Sequence, residues 1–264
     1  MSEERKLYLK KNKRTKILIN CIRVGLLLFL LGVWELIAYF ELVDPFIISS
    51  PSRIVRIIGT LYKQNNLLPH VFASLYETVM GFLIATVLGT IIAIVLWWSD
   101  TVKKILEPYL ITLNSLPKIA LGPIIIVWLG TGKTSIIFMS VLICIIITII
   151  SMLTGFNEVD KEKIMLLRSM QATKLQLLTK LVIPANVPTL ISVLKINVGL
   201  SWIGSIMGEY LASKEGLGYL LVYGSQVFQL DLVMASTVIL CFLAGIMYAL
   251  VALLEKVVHE HFKK

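Results

Sequence analysis

The sequence predicts an all-α membrane protein that crosses the bilayer about six times. Three observations carry this expectation. Apolar runs of roughly 20 residues recur along the chain, the length a helix needs to cross a hydrocarbon core of about 30 Å. The 264-residue chain is 57% hydrophobic and only 16% charged, with a mean hydropathy of +0.86, against about 45–50% and 25% in soluble domains. Its Lys and Arg residues gather beside the apolar runs, which fits membrane topology better than binding of nucleic acid.

Residues 1–17 form a basic N-terminal tail, and 18–264 a single transmembrane domain. The first span is 18–40, with Trp34 and Glu35 in its second half. No small-residue cleavage site follows it, so it is read as uncleaved. Between it and the next span, Ile54, Ile57, Ile58 and Leu61 share one helix face, and Ser50-Pro51 or Ser52 can start that helix. It is expected to lie at the outer interface. The second span, 69–98, ends in Trp97-Trp98, an interfacial anchor. The third, 105–129, contains Pro108, Pro117 and Pro123 and is expected to be broken. The fourth is 134–154, the fifth 187–211 and the sixth 233–255.

Charge sets the orientation. With the N-terminus inside, the inner segments hold 18 Lys and Arg and the outer ones 5, while Lys118 and Lys195 fall within spans. This bias predicts that both termini and the segment 161–188 are cytosolic. The predicted location is a multi-pass position in the cytoplasmic membrane.

Small residues predict how the spans pack. Without a hydrophobic force between helices in lipid, close backbone approach drives association. Gly81, Ala85, Gly89 and Ala93 recur every four residues in the second span, and Gly204, Gly208 and Ala212 do so in the fifth. In the third span Asn114, Ser115, Pro117 and Lys118 sit at the expected break. Non-helical backbone at membrane depth is tolerated where it lines a cavity or is covered by protein, so these are candidate pathway residues. Glu209, near the outer end of the fifth span, either serves a substrate directly, pairs with Lys214 or reaches water. Glu35 is read as a lipid-interface or interhelical contact, and Lys195 as a snorkelling or paired residue.

Other chemistry is not indicated. Cys21, Cys144 and Cys241 are widely separated, and His70, His259 and His261 are isolated, so neither a disulfide framework nor a metal site is expected. Gly130-Thr-Gly-Lys133-Thr134 lacks the first glycine of a phosphate-binding loop, its place being taken by Val127.

Residues 160–186 read as a helical hairpin. Residues 160–171 form a short helix with Ile164, Leu166, Leu167 and Met170 as its apolar face. Thr173 and Gln176 have capping-box spacing before Leu177, Leu178 and Leu181, and Pro184 and Pro188 lead into the fifth span. The spacing from Met165-Leu166-Leu167 through Gln171 to Leu181-Val-Ile183-Pro184 resembles the EAA loop of binding-protein-dependent ABC importer permeases. Further stretches look like the sulfonate/nitrate/taurine-type subfamily: 45–53, Ser74-Leu75 to Gly81-Phe82, Glu107-Pro108 to Gly132, and Glu209 to Gly216-Leu217-Gly218.

That resemblance implies a type I ABC importer permease fold: two permease copies around a pathway, separate ATPase subunits that bind ATP, and an extracytoplasmic solute-binding protein. Met165, Leu166, Leu167, Arg168, Met170, Gln171 and Ala172 would contact the ATPase. The solute implied is a small anion such as a sulfonate, taurine or nitrate; the alternative permease reading is a vitamin precursor. No cofactor is expected on this chain itself. Three departures stand out: Met-Leu-Leu at the Glu-Ala-Ala positions, Gln171 where the family has glycine, and Glu77 where it commonly has Arg. An ion-coupled carrier calls for acidic or His residues in mid-span; the fourth and sixth spans have none there. A membrane-embedded enzyme would need a nucleophile–base or metal constellation, which is not visible.

Overall fold

The computed structural model describes residues 3–64 and 66–262. Residues 1 and 2 of the basic tail, Lys263 and Lys264 lie outside the described residues, as do the side chains of His259 and His261. Helices and loops account for all the described chain.

The first helix, α1 (Glu3–Tyr39), runs unbroken through most of the basic tail and the first span. Neither Gly nor Pro occurs before Gly25, and Lys, Arg, Leu and Ile extend a helix readily. Most of its apolar part, Ile17–Tyr39, is exposed, with Ala38 alone buried by the rest of the chain. After the short α2 (Pro45–Ile48) comes α3 (Pro51–Lys63), the amphipathic helix expected from the sequence. Ser50, in extended conformation, accepts from Arg53 N at 3.4 Å, and Pro51 supplies the first turn. Ile54 is buried, and Ile57, Ile58 and Leu61 are half-buried. Arg53 pairs with Asp231 at 2.9 Å, and Ser52 N donates to Glu35 Oε2 at 3.0 Å. Glu35 therefore makes an interhelical contact.

The second span is α4 (Leu67–Trp98). The third is two helices, α5 (Asp100–Ser115) and α6 (Gly122–Leu129), joined through a 3₁₀ turn at Lys118–Leu121 with an 87° bend. It starts earlier than the expected residue 105 because Ser99 accepts from Val102 N and caps α5. Pro117 stands at the bend. Pro123 does not break a helix: it falls in the first turn of α6, where its missing N–H is not needed. Then follow α7 (Lys133–Asn157), the hairpin pieces α8 (Lys161–Ser169), α9 (Lys174–Leu177), a π turn (Leu178–Val182) and α10 (Ile183–Ala185), and the fifth span, α11 (Val187–Ala212). A helix not anticipated from the sequence, α12 (Leu217–Gln226), precedes the last span, α13 (Leu230–Phe262).

Contacts between chain ends define the two ends of the bundle. Lys174 in the hairpin donates to the Trp98 carbonyl at 2.5 Å, and Lys195 pairs with Glu255 at 2.6 Å. The end of α4, the starts of α5 and α11, and the last turns of α13 therefore share the hairpin end. At the opposite end α6 reaches α11, where Gly122 meets Leu211, and α3 meets the start of α13. The bent pair thus carries the chain from one end to the other and counts as one crossing of six.

At the centre, α7 is clamped between α4 and α11. A Cβ on Gly81 would overlap Ser140 Oγ, and one on Gly204 would overlap Ser140 Cα. One turn or two further along, a Cβ on Gly89 would lie 2.7 Å from Thr148 Cβ, and one on Gly208 2.9 Å from Ile136 Cα. Ala85 and Ala93 are fully buried. Ser140 also donates to the Ser201 carbonyl at 3.1 Å, and Asn197 Nδ2 donates to Thr86 at 3.1 Å and to Thr148 at 2.8 Å. The three helices meet backbone to backbone, with polar bonds crossing between them.

Two apolar clusters flank this clamp. Leu96, Met152, Phe156, Leu178, Val182 and Val193 form one at the hairpin end. Phe82, Trp202, Leu217, Leu221 and Leu240 anchor the other, joining α4, α11, α12 and α13.

Replacing Gly204 by Leu forces Ser140 and its backbone aside, a strain of about 1–3 kcal/mol. Gly199 has open space around it, so Gly199→Ala is expected to be neutral or up to about 1 kcal/mol stabilising. Thermal unfolding of both variants in detergent checks the contrast.

Candidate functional site

Two places concentrate functional side chains: the hairpin between α7 and α11, and a polar pocket at the opposite end.

The hairpin divides into an exposed tip and a buried foot. Asp160 accepts from Glu162 N at 2.9 Å and caps α8. The helix stops at a left-handed residue, Gln171, with φ +58°. Gln171 N donates to the Arg168 carbonyl at 2.9 Å and Ala172 N to the Leu167 carbonyl at 3.0 Å, the paired bonds of a Schellman stop. This is the position at which the resemblance drawn from the sequence would place a glycine. Thr173 then accepts from Gln176 N at 3.3 Å while Gln176 accepts from Thr173 N at 2.8 Å, the reciprocal capping box anticipated from the sequence. Leu178 and Val182 bury the foot in the apolar cluster at this end, and Leu177 beside them is buried as well. Lys174 ties it to α4, its ammonium lying 5.8 Å from the Trp97 ring and 5.7 Å from the Trp98 ring.

The apolar side chains of α8 do not all face one way. Ile164 packs against the cluster and Leu167 is half-buried, while Met165, Leu166 and Met170 are 69%, 62% and 71% exposed. Arg168 and Gln171 are exposed beside them, and Ala172 is half-buried. The expected apolar face of Ile164, Leu166, Leu167 and Met170 is thus split. The outward part is Met165, Leu166 and Met170, because Ile164 and Leu167 lie on the turn that faces the bundle.

At the opposite end, α4 presents His70, Ser74, Glu77 and Thr78 along one face, all buried. From α11 come Ser205 and Glu209. Between them runs the loop Gly216-Leu217-Gly218, which opens α12. The first N–H groups of a helix lack intrahelical partners, and here three consecutive ones are met by three buried side chains. Gly216 N donates to His70 Nδ1 at 2.9 Å, Leu217 N to Ser74 Oγ at 2.7 Å, and Gly218 N to Glu209 Oε2 at 2.5 Å. Gly216 has φ +108°, and a Cβ there would overlap the Glu209 carboxylate. Thr78 and Ser205 share a hydrogen bond of 2.6 Å just below.

Glu209 and Glu77 are each only 1% exposed and face each other within hydrogen-bonding reach. Glu209 therefore neither pairs with Lys214 nor reaches water, as the sequence had allowed: α12 closes over it, and its side chain turns to α4. His70, read as isolated, is the acceptor for Gly216. Glu77 appeared in the sequence only as a departure from a family pattern. Carboxyl groups thus do lie inside spans, in the second and fifth, although the fourth and sixth lack them.

A cavity of about 580 Å³ opens above the pair, lined by Glu77, Thr131, Gly132, Lys133, Ser213, Lys214 and Glu215, with further wall from Leu211 and Ala212. The residues at the broken span are elsewhere. Asn114, Ser115 and Pro117 are exposed, and Lys118 reaches back over the bend to the Asn114 carbonyl at 3.4 Å. Ser115 Oγ donates to the Ile111 carbonyl at 3.1 Å. Lys118 borders an apolar hollow of about 340 Å³ with Leu113, Leu121, Phe138 and Leu142. The five sequence-picked pathway residues therefore form two separate environments. Among the described residues no cluster of His, Cys, Asp and Glu has metal-holding geometry.

Residues 85–264 match the family described as binding-protein-dependent transport system inner membrane component. A "Probable ABC transporter permease protein" of Haemophilus influenzae is 30% identical, over 89% of this chain and 94% of its own length. The taurine transport system permease protein TauC of Escherichia coli is 26% identical, over 84% of this chain and 83% of its own. The formylaminopyrimidine transport permease protein ThiX of Halalkalibacterium halodurans is 29% identical, over 73% and 76%. In fold, the chain is similar to an inward-facing MetNI methionine ABC transporter chain, with a TM-score of 0.65, 18% identity, and coverage of 73% of this chain and 95% of that one.

The hairpin geometry makes two stability expectations. Thr173→Ala removes one half of the capping box at about 1 kcal/mol, so the Gln176 amide should exchange about fivefold faster by hydrogen exchange. Gln171→Gly relieves a left-handed side chain and should raise the melting temperature, by up to about 1 kcal/mol in stability, whereas Gln171→Val should lower it.

Proposed function

The chain belongs to the family of binding-protein-dependent transport system inner membrane components, and on that premise we propose how it couples and what it carries. As a member of that family it is a multi-pass permease subunit of an ABC importer, not an enzyme, and the family works with a separate ATPase and a solute-binding protein.

We infer that Met165, Leu166 and Met170, with Arg168, Gln171 and Ala172 around them, dock in a groove of the ATPase subunit, where ATP is bound and hydrolysed. Leu167 helps from behind by fixing α8 on the bundle. The observation that carries this reading is the apolar tip. Three large apolar side chains stand exposed on a helix capped at both ends and fastened to α4 and α7 by its foot. Such a patch is suited to a partner, not to water. The charge bias supports a cytosolic hairpin and cytosolic termini.

Movement of the tip is transmitted through rigid parts. Leu178 and Val182 share one apolar cluster with Phe156 and Leu96, and Ile164 of α8 packs against it, so a push on α8 reaches α7 and α4 directly. The three clamped helices then move together, and the weakly packed α5–α6 pair shifts against them. We propose that two copies face each other across this pair, because none of the residues of α5 is buried in the single chain. Asn114, Ser115, Pro117 and Lys118 would then border a pathway that alternates between two states biased by the ATPase. The solute proposed is a small sulfonate-type anion, supported by the likeness to taurine and aliphatic sulfonate permeases. The likeness to ThiX is the support for a vitamin-precursor pyrimidine as the second reading.

Leu166→Glu places a charge in the proposed groove. Co-purification with the cognate ATPase subunit should fall at least about tenfold, the cost of a few kcal/mol at an interface anchor, while the melting temperature of the permease alone stays within a degree or two because Leu166 is exposed. Unchanged co-purification would refute the docking assignment.

A further inference from the structure

The pocket above Glu77 and Glu209 has an electrostatic deficit. Lining it are two carboxyls, Glu77 and Glu215, and two ammoniums, Lys133 and Lys214; a third carboxyl, Glu209, stands behind Glu77, outside the lining. His70, the remaining titratable neighbour, accepts from Gly216 N at Nδ1, so it is held as a neutral ring. Tyr219, stacked on His70 at 5.9 Å, brings no charge. One positive charge is missing.

The deficit lies at the buried floor. Neither Glu77 Oε2 nor Glu209 Oε1 receives a hydrogen bond from any protein donor, although both side chains are 99% buried. Their other neighbours, Ser74 and the Gly218 amide, are already engaged with Glu209. Two carboxylates cannot stand within hydrogen-bonding reach of each other unless a proton or another cation sits with them. Glu77 also lines the cavity, so a group entering from above meets it first. Away from the acid floor the wall is net positive: Lys133 and Lys214 stand at the loops 130–133 and 212–215, with Glu215 beside them.

We propose that this pocket is a solute subsite for a zwitterion, with a primary ammonium against the Glu77–Glu209 pair and an anionic head toward Lys133 and Lys214. The proposal rests on the permease reading above and narrows it, from small anions to small amino-anions. The entering ammonium takes the place of the proton that the pair otherwise shares, and that proton leaves to water. A simple sulfonate satisfies the lysines but leaves the floor holding its proton; a simple amine does the reverse.

The test uses the full chain in nanodiscs with its cognate ATPase subunit, and titrates it calorimetrically with taurine, ethanesulfonate and ethylamine. Taurine is expected to bind at least about tenfold more tightly than either half-ligand, the value of one charge-assisted hydrogen bond. Because a proton competes for the floor, taurine binding should weaken as pH falls while ethanesulfonate binding does not. Glu77→Gln should abolish the preference for taurine over ethanesulfonate, and the Lys133→Ala, Lys214→Ala double variant the preference over ethylamine. Should Glu77→Gln fail to fold, the pH trend in the wild type and the lysine variant decide. Equal binding of taurine and ethanesulfonate, a preference that survives Glu77→Gln, or no binding of any of the three overturns the subsite. ATP hydrolysis in the same wild-type sample separates the two readings: hydrolysis without binding removes the subsite alone, and absence of hydrolysis counts against the coupled permease.

Discussion

The fold depends on how closely α7 approaches its two neighbours. Ser140 lies between Gly81 and Gly204 with no room for a methyl group on either side. In lipid, where apolar side chains gain nothing by leaving their solvent, this backbone proximity is what selects one arrangement of helices. Every other element is placed by reference to it. α4 and α11 are set by the clamp, and they in turn bring Glu77 to Glu209 and Thr86 to Asn197. The hairpin is strung between α7 and α11, so its foot inherits their spacing.

A clamp of this kind makes the two functional ends mechanically continuous. The same three helices carry the foot of the hairpin at one end and the walls of the polar pocket at the other. The bent α5–α6 segment stands outside this block, with an 87° turn and few buried side chains. A closely packed block and a loosely packed flank are the ingredients of a two-state element. The strain at Gln171 sits at the hairpin tip, where the partner is proposed to dock, at a helix stop that a glycine would satisfy more cheaply.

Local features were readable from the sequence because they rest on short-range physics. The spans follow from apolar length, the α3 cap from Ser50-Pro51 and the capping box from Thr173 and Gln176; the left-handed stop at 171 was implied only by the resemblance, which places a glycine there. The polar pocket was not readable, because it depends on distance folding. His70 meets Gly216 and Glu77 meets Glu209 across more than a hundred residues of chain. No periodicity links such residues, and a lone acid in a span has many equally plausible partners. The one available signal was Glu77 itself, an acid where the resemblance leads one to expect a base. α12 was missed for a related reason: ten residues of mixed pattern, opened by two glycines, carry no clear helical period. Pro123 was misread because proline marks helix starts as well as breaks.

The length of α4 has a consequence for the buried acids. Its 32 residues extend about 48 Å as helix, well beyond a hydrocarbon core of about 30 Å. Centred on that core, the helix projects about 9 Å at each end. Glu77 lies ten residues past Leu67, or about 15 Å along the axis, which puts it only about 6 Å beneath the headgroup boundary. A carboxyl at that depth is dry by virtue of the protein around it, not of the lipid. Thickening or thinning the bilayer would slide this boundary past the pair, so lipid chain length sets how much of the pair's shielding the protein must supply by itself.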